Sequence, residues 1–200
     1  MARQNRVQPD GAIRATPARG TFMGNRGILH DDHGRLTAAR WRHKAWVTCV
    51  LAFKGRRRAL MQPGHYTELF FHDEAVAFAA GHRPCGECRR SDYGAFRDAA
   101  GISGPIDGYD RALHAARAVP RVYGQRRHRA TLADLPDGSF ILGDDGRPLL
   151  VLGDALCPFR PEGYGAPEPR PRGSEVTVLT PAPLIAALRA GYRLQLRLPG

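Results

Sequence analysis

Hydrophobic positions along the chain come in short clusters, and their spacing predicts many small elements rather than a few long ones. Trp46, Val47, Val50, Leu51 and Phe53 predict a strand over 46–53, with Lys54-Gly55 as a turn and 57–61 returning as a second strand. Pro63-Gly64 marks another turn before a third strand over 66–71. Asp73 stands where an N-cap belongs, and Glu74 to Ala80 is an alanine-rich helix. Gly81 falls just past the helix end, where positive φ is cheap for glycine. A second helix runs from a Ser91 cap to Ala100 and stops at Gly101, and a third runs from Gly108 to Val119 and stops at Pro120.

Beyond residue 131 strands take over. Ser139–Leu142 and Pro148–Leu152 flank the turn Gly143-Asp144-Asp145-Gly146. Residues 158–173, rich in Pro and Gly, read as a long loop. A strand at Glu175–Leu179, a helix at Ala182–Ala190 and a strand at Arg193–Leu198 close the chain. Residues 1–20 are polar and aperiodic and read as a flexible tail, and 21–35 as loop or short strand pieces. The pattern predicts an α+β fold: the tail, a hairpin-and-helix module at 21–100, a helical, basic connector at 101–130, and a β-rich region at 131–200 closed by a helix.

At 200 residues the chain can bury one full core, and 42% apolar residues without a run of about 18 exclude a membrane span. No apolar stretch near the N-terminus resembles a secretory signal, so the expected location is cytoplasmic and the four cysteines are expected as thiols or metal ligands. Charge changes the picture more. Residues 1–60 carry 13 Lys/Arg against 3 Asp/Glu, a net of +10, and 101–130 carry 6 against 2, a net of +4, within a total of +11. Such clustering suits a partner rich in phosphate, although 28 of the 30 basic residues are arginine, a skew that genome composition alone can produce.

The sharpest chemical motif is Arg83-Pro84-Cys85-Gly86-Glu87-Cys88-Arg89-Arg90. Two cysteines separated by two residues form a tight knuckle that presents both sulfurs to one tetrahedral metal. A redox dithiol is the other use of this spacing, but the strand leading into a long helix that it needs is missing. Cys49 is the candidate third thiolate. His65, on the turn into the third strand, is the favoured fourth ligand, with His82 and Cys157 behind it and His72 flanking the same strand. The pattern His72-Asp73-Glu74 followed by Pro84-Cys85-Gly86-Glu87-Cys88 also mimics zinc nucleobase deaminases, but nine residues between Glu74 and Pro84 are too few for the helix and strand that such a site requires.

The 20 residues Leu69-Phe70-Phe71-His72-Asp73-Glu74-Ala75-Val76-Ala77-Phe78-Ala79-Ala80-Gly81-His82-Arg83-Pro84-Cys85-Gly86-Glu87-Cys88 resemble the second half of the zinc-binding domain of Ada-type DNA-repair proteins. The resemblance implies a zinc ion held by thiolates on a small hairpin-and-helix module that touches DNA phosphates. It also implies an upstream thiolate that accepts a methyl group from a damaged backbone phosphate, a catalytic role that falls here on Cys49. The family places a second cysteine four residues further on, where this chain has Phe53.

The expectation is a zinc-binding, nucleic-acid-binding protein, with DNA favoured, plausibly in repair or processing. Its phosphate contacts would come from Arg40, Arg42, Lys44, Lys54, Arg56, Arg57, Arg58, Arg89, Arg90, Arg126, Arg127 and Arg129, since guanidinium forks suit phosphate. The alternatives are an alkyl-accepting enzyme using Cys49, a nuclease built on His30, Asp31, Asp32 and His33, or a non-catalytic interaction module. Asp110 and His114 are i, i+4 on the third helix and read as a surface pair.

Overall fold

The Asp73 carboxylate accepts a hydrogen bond from the Val76 amide at 3.0 Å and caps a helix over Glu74–Ala79. Gly81 follows at φ +80, and a Cβ there would lie 2.4 Å from Cδ of Arg117, so both backbone freedom and close packing require glycine. Every residue of this six-residue helix is buried, and the fold is assembled around it.

The computed structural model describes residues 2–55 and 59–199. In chain order the elements begin with β1 (Gln4–Val7), β2 (Ile13–Ala15), β3 (Phe22–Asn25), β4 (Val47–Val50), β5 (Leu69–Phe71), α1 (Glu74–Ala79) and β6 (Arg83–Pro84). Next come α2 (Arg90–Ala99), α3 (Asp107–Arg117), β7 (Ala118–Val119), β8 (Gly124–Gln125) and β9 (His128–Thr131). After a 3-10 turn at Leu132–Asp134 follow β10 (Phe140–Leu142), β11 (Pro148–Leu152), β12 (Ala155–Arg160), β13 (Gly163–Tyr164), β14 (Glu168–Pro169), β15 (Glu175–Val178) and α4 (Ala182–Arg189). The fold is α+β, as expected. A mixed six-stranded sheet has the order β2-β1-β5-β3-β4-β6, a second sheet has the order β13-β12-β11-β10-β15-β9 with β14 beside β12, and β7 and β8 form a small ribbon.

One core joins the two sheets. Val7, Phe22, Leu69 and Phe71 from the first sheet and the alanines of α1 pack in one cluster with Phe140, Leu150, Cys157 and Phe159 of the second and with Leu179 just after β15. A helical cluster completes it, with Phe78 of α1 stacked on Tyr192 at 5.3 Å and packed with Phe96 of α2, Leu113 of α3 and Leu184 of α4. The second sheet has a further cluster of its own, in which Ile141, Leu149, Val151, Leu156 and Val178 pack with Leu132, Leu135 and Ile185 of α4.

Several expectations need correction. Residues 1–20 are not a free tail: β1 lies inside the first sheet between β2 and β5, with Asn5 and Val7 buried and the Arg6 guanidinium 4.8 Å from the Phe70 ring centre. A polar strand held by backbone pairing on both sides leaves little hydrophobic signature. β4 pairs antiparallel with β3, placing Met23 opposite Cys49, and parallel with β6. Of the expected 57–61 return strand, 59–61 form no strand and 57 and 58 lie outside the described residues. Arg56, Arg57 and Arg58 lie outside the described residues. The expected 158–173 loop begins inside β12, where Pro158 lacks an amide but its carbonyl accepts from Gly165 at 2.8 Å. Residues 193–198 form no strand, because the Gln195 and Arg197 amides donate to the Glu74 and Asp73 carboxylates (2.9 and 3.2 Å) instead of to a ladder. No helix among the described residues is long and apolar enough to cross a membrane.

Candidate metal centre

Parallel pairing of β4 with β6 builds the site. The Arg83 amide donates to the Trp46 carbonyl at 3.2 Å and the Cys85 amide to the Thr48 carbonyl at 3.0 Å, which sets Cys85 beside Cys49. The chain then turns back through Gly86-Glu87, the Arg89 amide donates to the Cys85 carbonyl at 3.1 Å, and α2 begins. The helix starts at Arg90 with no side-chain cap, so the expected Ser91 cap is not used. The sulfurs of Cys49, Cys85 and Cys88 all lie within 4.8 Å of one another and are half-buried. A tetrahedral zinc with bonds of about 2.3 Å sets its sulfurs about 3.8 Å apart, a spacing within that limit.

The backbone is arranged for sulfur charge. The Glu87 amide donates to Sγ of Cys85 at 3.4 Å. The Cys85 thiol is pulled down to about 5, chiefly by the hydrogen bond from the Cys49 thiol and further by the Cys88 and Glu87 amides, with burial opposing. Cys49 is pushed up by that same bond to Cys85, with burial adding to it. Cys88 is pushed up by burial and by the neighbouring Cys85 charge, while the Val50 amide acts in the other direction. Among the three thiols the negative charge settles on Cys85, and a shared cation is what would make all three thiolates. The donor set, three clustered sulfurs with amides turned toward them, fits a soft divalent metal such as zinc.

The candidate fourth ligands are elsewhere. His65 is exposed, its Nδ1 lies 3.1 Å from the Pro63 carbonyl, and it is not part of the cysteine group. His82 is fully buried and accepts from Arg26 Nε at 3.2 Å. His72 faces the Arg197 carbonyl at 3.1 Å, and Cys157 is packed in the core. The deaminase-like pattern does not assemble either. Glu74 lies 2.7 Å from Arg89 Nη2 and accepts from the Tyr192 hydroxyl at 2.7 Å, a fully buried structural role. Nor do His30 and its neighbours form a catalytic cluster: His30 Nδ1 meets the Thr67 hydroxyl at 2.6 Å, and Asp31 pairs with Arg35 at 3.0 Å.

The candidate phosphate contacts divide. Arg42, Lys44, Lys54, Arg90, Arg126 and Arg127 are exposed. Arg129 is exposed but answered by Glu175 at 3.0 Å, and Arg40 is half-buried with Nη1 on the carbonyls of Thr37, Ala38 and Ala39. Arg89 is a correction. Its side chain is 1% exposed, pairs with Glu74 and with Asp92 at 2.9 Å, and lies 4.6 Å from the Phe22 ring centre, so it has no face for a phosphate. The Asp110–His114 surface pair is another, since buried Asp110 takes both forks of Arg83 at 2.7 Å.

The sequence reading missed a group of buried arginines. Arg26, Arg83 and Arg117 are buried, and no local signal distinguishes them from the other arginines in so arginine-rich a chain. Only Arg83, adjoining the Pro-Cys knuckle, had a motif to flag it. No family model, curated protein or solved structure matches this chain.

Proposed function

We propose that the chain is a zinc-binding protein that contacts nucleic acid, DNA in particular, with a role in DNA repair or processing. The observation that carries the metal part is the convergence of Cys49, Cys85 and Cys88 within 4.8 Å, with the Glu87 amide on the Cys85 sulfur. Cys49 lies 36 residues before Cys85 in sequence, so core packing alone gives no reason for three half-buried sulfurs to meet at one point. The nucleic-acid part rests on the net charge of +11 and on the exposed Arg42, Lys44, Lys54, Arg90, Arg126 and Arg127. Bound zinc would supply a fixed positive charge that keeps the three sulfurs deprotonated.

Two measurements test this reading. Elemental analysis of the purified protein should return one zinc per chain. DNA affinity should fall with salt, with a log–log slope no steeper than about −5 if the six exposed side chains supply the phosphate contacts. A zinc-free protein whose thiols all react with Ellman's reagent, or a DNA affinity indifferent to salt, would refute the corresponding half.

A second reading has its own support: no fourth protein ligand joins the three sulfurs among the described residues, and Cys49 is half-buried rather than enclosed. In it the Cys49 thiolate attacks an alkyl carbon on a phosphotriester, the carbon–oxygen bond breaks, and the phosphodiester leaves with the electron pair. Mass spectrometry after incubation with methylated DNA should then find a single added methyl on Cys49. An unchanged mass with DNA still bound removes this option.

A further inference from the structure

A cavity lies on the face of β4 away from the cysteines. Trp46, just before the strand, and Thr48 within it are buried, whereas Val47 and Cys49 are half-buried, so the strand turns its cysteine away from a cavity that Trp46 lines. The cavity measures about 170 Å³ and is bounded by Arg26, Arg117, Trp41, Trp46, Tyr123 and Gln125, among others. It falls below the roughly 300–1,000 Å³ that enclose a drug-sized ligand, so it holds a phosphate-sized group inside, with the half-buried Trp41 and Tyr123 left to meet whatever that group carries.

Its charge is unbalanced. Arg26 is 2% exposed and Arg117 1%, and among the described residues neither has a carboxylate within ion-pair distance. Both pack on one indole, their guanidinium carbons 4.2 and 3.8 Å from the Trp46 ring centre. Arg26 uses Nε on His82, and Arg117 uses its Nη atoms on the Gly81 and Lys44 carbonyls, but Arg117 Nε is buried without a partner. Burial, with the charge of Arg40 adding to it, pulls Arg26 down to about 9, and burial with the Arg26 charge pulls Arg117 down as well. The Asp110 charge acts on Arg117 from a distance, but both its oxygens are taken by Arg83 at 2.7 Å. Among the described residues the two buried guanidinium groups thus have no ion-pair partner of their own, which is unfavourable unless an anion joins them. The nearby carboxylate of Asp10 is already engaged by the Ala12 amide at 3.0 Å and by Arg14 at 3.7 Å.

The remaining walls describe what the anion carries. Trp41 and Tyr123 are half-buried and meet edge to face at 4.9 Å. Tyr123 is held at φ +51 and Arg121 at φ +69, in the region that non-glycine residues rarely occupy, so the 120–123 turn keeps strain while setting this ring at the cavity. Gln125 Nε2 donates to the Ala79 and Leu179 carbonyls at 2.7 and 2.8 Å, which fixes the amide orientation and leaves its Oε1 buried with no donor. The cavity therefore offers two cations, flat aromatic surface and one unfilled acceptor.

We propose that this cavity binds a phosphate monoester whose carried group has a flat ring and a hydrogen-bond donor, the chemistry of a nucleoside monophosphate. A phosphate monoester brings about two negative charges at neutral pH, matching the two guanidinium groups, where a carboxylate brings one. The ring lies against Trp41 and Tyr123, and a hydroxyl or amino group donates to Gln125 Oε1. The site is independent of the zinc reading, because the cysteines are on the opposite face of the strand.

Titration calorimetry of the full chain in chloride buffer tests it with inorganic phosphate, AMP, adenosine and a 5′-phosphorylated oligonucleotide as probes. AMP should bind more tightly than inorganic phosphate by about tenfold or more, within what stacking on an aromatic ring supplies, and adenosine should not bind. Binding of the phosphorylated oligonucleotide with an affinity equal to that of AMP would identify a strand end as a second source of the same group. Tyr123→Ala should keep the phosphate affinity and lose the tenfold gain, and Arg26→Met with an unchanged circular dichroism spectrum should abolish both. Cys85→Ser should leave AMP binding intact, which separates this site from the metal. The proposal is overturned if neither phosphate nor AMP gives heat or raises Tm at roughly 10 mM, enough to saturate a millimolar site. Unchanged AMP binding in folded Arg26→Met would overturn it as well.

Discussion

Residue type alone does not say where a side chain acts. Cys85 and Cys88 are placed by local geometry, since a two-residue spacer holds their sulfurs together in any such knuckle. His65 and Arg89 have the right chemistry for metal and phosphate, yet one faces the Pro63 carbonyl and the other is buried against Glu74. The contrast yields a direct check. Cys85→Ser and Cys88→Ser should each reduce bound zinc to roughly a tenth or less, because two sulfurs hold the ion far more weakly than three. His65→Ala should leave the zinc content unchanged, and a zinc loss in that variant would restore it as a ligand.

Among the elements, α1 is too short to be stable alone and is held by what surrounds it. Asp73 does more than cap it, since the same carboxylate accepts from the Tyr164 hydroxyl at 2.8 Å and the Arg197 amide at 3.2 Å. Asp73→Ala should therefore lower stability by more than the ~1 kcal/mol typical of a lost cap, read as a shifted urea midpoint with unchanged slope. The position of α1 also limits what metal removal can do. Its alanines pack with Phe140 of the second sheet and with Leu179 just after β15, so the helix does not depend on the cysteines for burial. Chelation should speed amide exchange at 47–50 and 83–90, where β4 and β6 share the site, and leave the α1 amides protected. Loss of protection along α1 on chelation would mean that the metal supports the core itself.

For the whole molecule, the cluster shared by both sheets couples their unfolding, and buried basic groups make it sensitive to acid. Burial, with Arg26 and Arg117 adjacent, holds the His82 imidazole well below its ordinary value of 6.5. His114 is lowered to about 4, again mainly by burial. Below pH 6.5 the unfolded chain takes up protons that these folded imidazoles refuse, so stability falls as pH drops from 6.5 toward 4. Thermal melts should show a Tm that decreases over that window. His82→Gln, which keeps an acceptor for Arg26, should flatten the decline, and an unaltered slope would assign the acid sensitivity to other groups.

Much of the local structure was legible in the sequence because its causes are local. The Asp73 cap, the Gly81 stop, the β11 strand at Pro148–Leu152 and the Cys85–Cys88 knuckle each follow from side-chain chemistry within a few residues. The α+β class followed from the same elements added together. Cys49 was named as a ligand candidate from sequence, but its meeting with the knuckle depends on β4 lying parallel to β6, a pairing across 36 residues that no periodicity encodes. The same holds for β1, a polar strand placed by backbone pairing to β5, and for the Gln195 and Arg197 amides, drawn from a ladder onto two buried carboxylates. It holds most of all for Arg26 and Arg117, which sequence cannot tell from the arginines at the surface. The sequence determined the short-range geometry, because turns, caps and knuckles involve neighbours. Only the tertiary structure decided which charges lost their water, because desolvation depends on everything packed around a group.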